Sequence, residues 1–172
     1  LRTCRYNVTF IVNGEVFDVV PFVYGAQTAA TANEVNVSGF AFKYWYLNDQ
    51  YVPYAFGAMP ANDIILTAKM DYISLEDLPL TDGVYTWPYE DGNPIRLEIT
   101  KSCNVDFGGH TITNINDLAA IYVHNGATVT IKNVVIAPSA DTETDVENCC
   151  VLISGGANVT FENCAITGAK TA

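Results

Sequence analysis

The chain has 172 residues, 49% hydrophobic and only 16% charged, with 19 acids against 8 Lys and Arg and a formal net charge of −11. That composition supplies packed cores and excludes a disordered chain, and its field repels nucleic acid, toward which no local basic patch points. No apolar run is long enough to span a bilayer, and no leader precedes Leu1, so the chain reads as a mature or trimmed piece of a longer protein.

Residues 1–70 read as a separate small domain. Tyr6–Val12 alternates as a strand, Asn13-Gly14 is a strong hairpin turn, and Glu15–Phe22 returns. Tyr24-Gly25 ends that arm. Ala26–Asn33 is expected to be a loop containing a helical turn. Phe40–Leu47 is an aromatic-rich strand with a turn at Asn48-Asp49, and Asp63–Lys69 is the closing strand. Trp45, Phe40 and Phe56 are large enough to fill a small core, with Tyr54 beside them. Gly25 and Gly39 end strands where a side chain would obstruct the turn. Tyr44, Tyr46 and Tyr51 divide between two readings: packed aromatics, or, together with Tyr54, an exposed platform whose rings stack on sugars or a partner surface.

Several landmarks keep a common order and spacing: Val8-Thr9-Phe10, Asn13-Gly14, Tyr24-Gly25, Gly39-Phe40, Trp45-Tyr46, Tyr54 with Phe56, and Asp63-Ile64 followed by Leu66, Ala68 and Lys69. In these the segment resembles the internalin-type B-repeat, or Listeria–Bacteroides repeat, a β-grasp-like module of secreted and cell-wall proteins. Tyr44 stands where that family usually has Gly, and Met70 where a Trp usually closes the module. The resemblance implies a bacterial protein that is extracellular or held at the cell wall or cell surface.

Residues 71–94 read as a connector, rich in turn chemistry at Pro79, Asp82-Gly83, Pro88 and Asp91–Pro94. Ile73–Leu78 is expected to form a short helical turn. Trp87 and Tyr89 are expected to pack over the first coil of the repeating segment beyond Pro94, because an open stack of strands needs a cap.

From residue 95 to 172 the chain repeats. His124–Ile136 recurs thirty positions on at Ser154–Ile166, with six of thirteen positions identical: Gly126/Gly156, Ala127/Ala157, Val129/Val159, Thr130/Thr160, Asn133/Asn163 and Ile136/Ile166. Ala120–Val123 matches Cys150–Ile153 in apolar character. Short strands separated by Gly and Asn at this period indicate a β solenoid. Alternation places Val129 and Ile131 on one face, Val159 and Phe161 beneath them, and Thr160 and Glu162 outward. Asn133 and Asn163 fall at a bend, where Asn tolerates the left-handed conformation and can bond from coil to coil. Ile99–Ile112 reads as an earlier, degenerate coil, with Val105 and Phe107 inward and Gly109 at the place of Asn133. Asn104–Ile112 resembles the signature that opens many pectate-lyase-like right-handed β-helix domains, with Gly108 in place of an Asn and Val105 and Phe107 in place of a Leu pair. The fold class expected is therefore mainly β: a β-grasp-like module followed by the first coils of a right-handed parallel β-helix.

Chemistry is sparse. Asp141, Glu143, Asp145 and Glu147 alternate, and if extended their carboxylates share one side that could hold calcium. With no Gly for a tight turn, a solvated loop between coils is preferred, and no other cofactor is expected. Polysaccharide lyases of the resembled fold use clustered Asp with an Arg or Lys base. Here Arg96, Lys101, Lys132 and Lys170 are the only such bases in the repeat part, and Lys132 over Glu162 reads as a cross-coil ion pair. Asp106 and Asp117 do not form a glycosidase pair. His110 and His124 read as turn residues without a nucleophile. The five cysteines, Cys4, Cys103, Cys149, Cys150 and Cys164, match no zinc spacing and read as small buried hydrophobes. No catalytic residue is assigned. The leading function is an adhesin or stalk contacting host or glycan surfaces. Its alternatives are the N-terminal part of a carbohydrate-active β-helix enzyme, or a fibre subunit meeting copies of itself through an open coil end.

Overall fold

Along the first strand, β1 (Arg5–Val12), every second side chain from Val8 onward is buried, as period-2 alternation requires of a sheet with one covered face. The computed structural model, in which residues 4–47, 50–115, 118–138 and 150–167 are described, is mainly β. It divides into two compact units, Leu1–Val37 with Phe42–Asp71, and Ser38–Ala41 with Tyr72–Ala172. The expected turn at Asn48-Asp49, the acidic run Asp141–Glu147, and Asp117, Cys149 and Lys170 lie outside the described residues.

In the first unit β1 joins β2 (Glu15–Val23) through Asn13-Gly14, whose φ angles of 51° and 83° are those of a hairpin turn that needs Asn and Gly. With β3 (Phe40–Leu47) and β4 (Ile64–Tyr72) they form one sheet in the order β2-β1-β4-β3. β1 and β4 run parallel, pairing Val8 with Ile64 and Phe10 with Leu66. These four side chains, with Val12, Trp45, Met59 and Ala68, form the buried core. The Trp45 ring meets Phe10 edge-on at 4.8 Å and Phe42 at 5.2 Å. Tyr54 and Phe56 pack on this core at its margin.

Two expectations for this unit are corrected. Phe40 is not part of the Trp45 core; its ring stacks on Tyr72 at 5.1 Å. Ala26–Asn33 contains no helical turn. Gln27 bridges to Ala58, and buried Thr28 donates from N and Oγ1 to the Gly57 carbonyl, each at 2.8 Å. Thr28 Oγ1 also accepts from Gly57 N. Long-range pairing satisfies this backbone, so the segment gains nothing by coiling. Gly39 and Gly25 also differ in kind. A Cβ on Gly39 would lie 2.3 Å from the Pro94 carbonyl oxygen, whereas around Gly25 there is nothing within 4 Å and only its φ of +77° calls for glycine.

The second unit begins with a 3₁₀ turn at Leu75–Asp77, within the span expected to be helical. The Asp77 carboxylate accepts from Ser74 N and Oγ at 2.9 and 2.7 Å. Leu75, Leu78 and Trp87 enter the core, with Trp87 5.2 Å from the Phe107 ring and 4.8 Å from Tyr89. Twelve short strands come next: β5 (Leu80–Thr81), β6 (Val84–Thr86), β7 (Asn93–Ile95), β8 (Leu97–Ile99), β9 (Cys103–Asp106), β10 (Thr111–Asn114), β11 (Ile121–Val123), β12 (Thr128–Lys132), β13 (Val135–Ala137), β14 (Val151–Ile153), β15 (Asn158–Glu162) and β16 (Ala165–Ile166).

These strands form three sheets, in the orders β5-β6-β9-β12-β15, β7-β10-β13-β16 and β8-β11-β14. Apart from the β5–β6 hairpin, the pairs are parallel. The chain thus visits the three sheets in turn, and each circuit lays one strand on the previous one. The repeat legible in the sequence is the register itself: Val129 pairs with Val159, Ile131 with Phe161, and Ile136 with Ile166. Ile95, Leu97, Ile99, Val105, Phe107, Ile112, Ile121, Val123, Val129, Ile131 and Ile136 form a continuous buried column.

Here too the structure amends the reading. The segment taken as a connector supplies β6 and β7, so the first circuit begins before Ile99. Val105 pairs with Ile131 rather than Val129, and Cys103 takes the place opposite Val129. Four residues, 107–110, separate β9 from β10, against two, 133–134, between β12 and β13. A slip of two leaves every side chain on its expected face, which is why the alternation concealed it. Phe161 keeps its register but is 37% exposed, because no described strand lies beyond β15.

Candidate functional site

Tyr44 and Tyr46 are two apart on β3, so they leave the sheet on the same side. Tyr51 returns to them in a left-handed conformation, φ 49°. Its ring lies 4.9 Å from that of Tyr46, and the Tyr44 hydroxyl donates to its carbonyl at 2.8 Å. The return is held by Tyr54 N donating to Trp45 O at 2.7 Å and by a bridge between Tyr46 and Pro53. The structure therefore gathers the three tyrosines into one cluster, with Tyr51 58% exposed and the other two half-buried.

On neighbouring β4, Lys69 makes a 2.6 Å ion pair with Asp71. The Asp71 hydrogen bond holds the Lys69 ammonium above its ordinary value, and Tyr44 and Tyr46 are close enough to add to the effect. Ile65, exposed on the same β4 face as Lys69, extends the surface. Aromatic faces with hydroxyls and an ion pair at the rim can stack on the apolar side of a sugar ring and bond its hydroxyls.

The acids Asp141, Glu143, Asp145 and Glu147 lie outside the described residues, and among those described there is no group of three or more His, Cys, Asp and Glu placed to hold a metal. Cys103, Cys150 and Cys164 lie in or against the second core, where burial pushes the Cys103 thiol up, while Cys4 is exposed.

The outer surface of the circuits carries pairs that sequence reasoning did not foresee. Lys132 does meet Glu162, at 2.7 Å. The two histidines, read as plain turn residues, each face a carboxylate: His110 Nδ1 lies 2.7 Å from Asp91, and His124 Nε2 lies 2.6 Å from Glu98. Tyr122 stacks on His124 at 4.3 Å, with the Arg96 guanidinium 5.5 Å from its ring centre. Writing Leu97–Ile99 as a strand in the repeat would have placed Glu98 outward beside Tyr122, its partner in register. The bend positions form a ladder as expected: Asn133 and Asn163 have φ of 52° and 54°, and Asn163 Nδ2 donates to Asn133 Oδ1 at 2.8 Å. Its next member is Asp106, whose Oδ1 accepts from Asn133 Nδ2 at 2.9 Å, and not Gly109.

Residues 6–69 match the Listeria-Bacteroides repeat domain, a module typical of bacterial surface proteins. Tyr44, Tyr46, Tyr51 and Lys69 fall inside that match, and the repeating second unit falls outside it. No curated protein matches the chain. Among the described residues, no helix is long and apolar enough to cross a membrane.

Proposed function

We propose that this protein is a non-enzymatic segment of a bacterial extracellular or cell-surface protein, whose first unit touches a host or glycan surface through Tyr44, Tyr46 and Tyr51. The second unit, on this reading, is a right-handed parallel β-helix acting as a stalk. The observation that carries the reading is the convergence of three tyrosines with Lys69 on one side of the sheet, within the span that matches a surface-protein module. An array of immobilised glycans and intact host cells tests it. Wild type should be captured, and the double variant Tyr46→Ala, Tyr51→Ala should lose at least about tenfold, the scale of one or two aromatic contacts. Capture of neither probe, or equal capture of the double variant, ends the proposal.

A second reading, self-assembly, is favoured by a different observation. Ile153, Phe161 and Ile166, which occupy inner-face positions in the repeat, are exposed on the last described circuit. Another circuit from a second copy would cover them and pair the open strand edges. Light scattering over a concentration series separates the two: a rise in mass that Phe161→Glu abolishes supports assembly, and a constant monomer mass removes it.

A further inference from the structure

Where the chain bends between the first and second sheets of the circuits, the side chains leave a cleft of about 430 Å³ lined by Trp87, Asp106, Gly108, Gly109, Asn133 and Asn163. We propose that this cleft is a binding site for a neutral sugar, one or two rings of an uncharged glycan. It stands in the second unit and is independent of the tyrosine cluster.

The volume falls in the range of about 300–1,000 Å³ usual for small-molecule sites. Its polar wall is the Asp106–Asn133–Asn163 ladder. Parallel strands set successive members roughly 4.8 Å apart, so carboxylate and amides form a row of alternating acceptors and donors. Asp106 uses Oδ1 to accept from Gly108 N and Asn133 Nδ2, both at 2.9 Å. Its other oxygen has no hydrogen bond among the described residues. The Asn133 and Gly108 hydrogen bonds hold the Asp106 carboxyl below its ordinary range, so it is a fixed anion and an acceptor at neutral pH. Asn163 spends one N–H on Asn133, and among the described residues its carbonyl and second N–H have no hydrogen bond. Sugar hydroxyls, each both donor and acceptor, suit such a row.

The remaining walls agree. Gly108 and Gly109 present no side chain, and a Cβ built on Gly109 would meet nothing within 4 Å, so a ring can come close to the backbone there. Trp87, 6% exposed and packed on Phe107 and Tyr89, borders the cleft from the core side, and its buried Nε1–H has no acceptor among the described residues. Charge selects the ligand class. The site holds a carboxylate, the chain carries −11, and the nearby Lys132 is engaged by Glu162 at 2.7 Å. A uronate would meet the like charge of Asp106, and Lys132, a base close enough to act on that carboxylate, is already paired with Glu162.

The experiment is a titration of the whole chain with maltotriose, cellotriose and mannotriose, and in parallel with trigalacturonate, read by tryptophan emission and by saturation-transfer NMR. At least one neutral trisaccharide should bind saturably and trigalacturonate should not. Two substitutions assign the site. Asp106→Asn keeps the oxygen that Gly108 and Asn133 bond and removes the charge and the second acceptor. Asn163→Gly removes the amide while accepting the left-handed φ of 54°. Each should weaken binding at least tenfold, while Val16→Ala, at an exposed position on β2, leaves it unchanged; if Asp106→Asn loses its native circular dichroism, Asn163→Gly decides. Silence in both readouts with all neutral sugars, preference for trigalacturonate, or undiminished binding by a folded variant overturns the proposal.

Discussion

Asn133 does two jobs that separate cleanly by substitution. Its φ of 52° is a conformation that costs most residues about 1–2 kcal/mol, and its amide joins Asp106 to Asn163. Asn133→Gly loses only the hydrogen bonds, about 0.5–1.5 kcal/mol each. Asn133→Ala adds the backbone strain and should fall further, so the urea midpoints should order wild type, Gly, Ala. If the Ala and Gly variants coincide, the left-handed bend is not a constraint. Gly39 sets a sharper contrast. At Gly39→Ala the new methyl would sit 2.3 Å from the Pro94 carbonyl oxygen and 2.6 Å from Ile115 Cδ1 at a φ of +82°, whereas Gly25→Ala meets strain alone. Thermal unfolding should show a loss above about 3 kcal/mol for the first and about 1–2 for the second.

Acid should act through the carboxylates at the bends. Asp106, held by Asn133 and Gly108, and Asp91, held by Thr111 N and then His110, both have folded-state pKa values below the ordinary range. Each therefore contributes stability that is present above the unfolded value of about 3.9 and is lost as pH falls through the folded value. The melting temperature should decline below about pH 4–5, and Asp106→Asn should flatten part of that slope. A wild-type curve flat from pH 6 to 2 would count against both hydrogen-bonded carboxylates.

At the scale of the strands, burial and not register decides the energetics. Ile131 and Phe161 are partners in adjacent circuits, yet Ile131 is fully buried and Phe161 is 37% exposed. Ile131→Ala should cost about 2–5 kcal/mol, the cavity cost of a closed core, and Phe161→Ala distinctly less despite removing the larger side chain. Equal losses would mean that the last circuit is covered in solution. The two extra residues at 107–110 show how a circuit absorbs length: the turn lengthens, Phe107 remains buried, and the ladder passes to Asp106.

The described residues form two apolar cores, one around Phe10, Trp45 and Leu66 and one running from Ile73 to Cys150. The first is small, as cores of domains near 70 residues are, but its parallel β1–β4 pairing lies wholly within it. A fragment of residues 1–72 should therefore fold, with blue-shifted Trp45 emission and a β-type circular dichroism spectrum. Emission at the wavelength of free tryptophan would show that this core needs the second unit. The net charge of −11 acts at the same scale, opposing polyanions whichever face they approach.

Local chemistry was written in the order of the residues. Alternation put Val129 and Ile131 inside, the thirty-residue repeat set the pairing of β12 with β15, and Asn-Gly and Asn placed the turns, because each depends on neighbours a few positions away or on a copy of the same pattern. The two-residue shift of β9, the strands at Val84–Thr86 and Asn93–Ile95, the carboxylate partners of His110 and His124, and the gathering of Tyr51 onto Tyr46 were decided only by the folded chain. A period of two is blind to an even slip, and a contact made between circuits or across a turn joins residues whose separation no local pattern records.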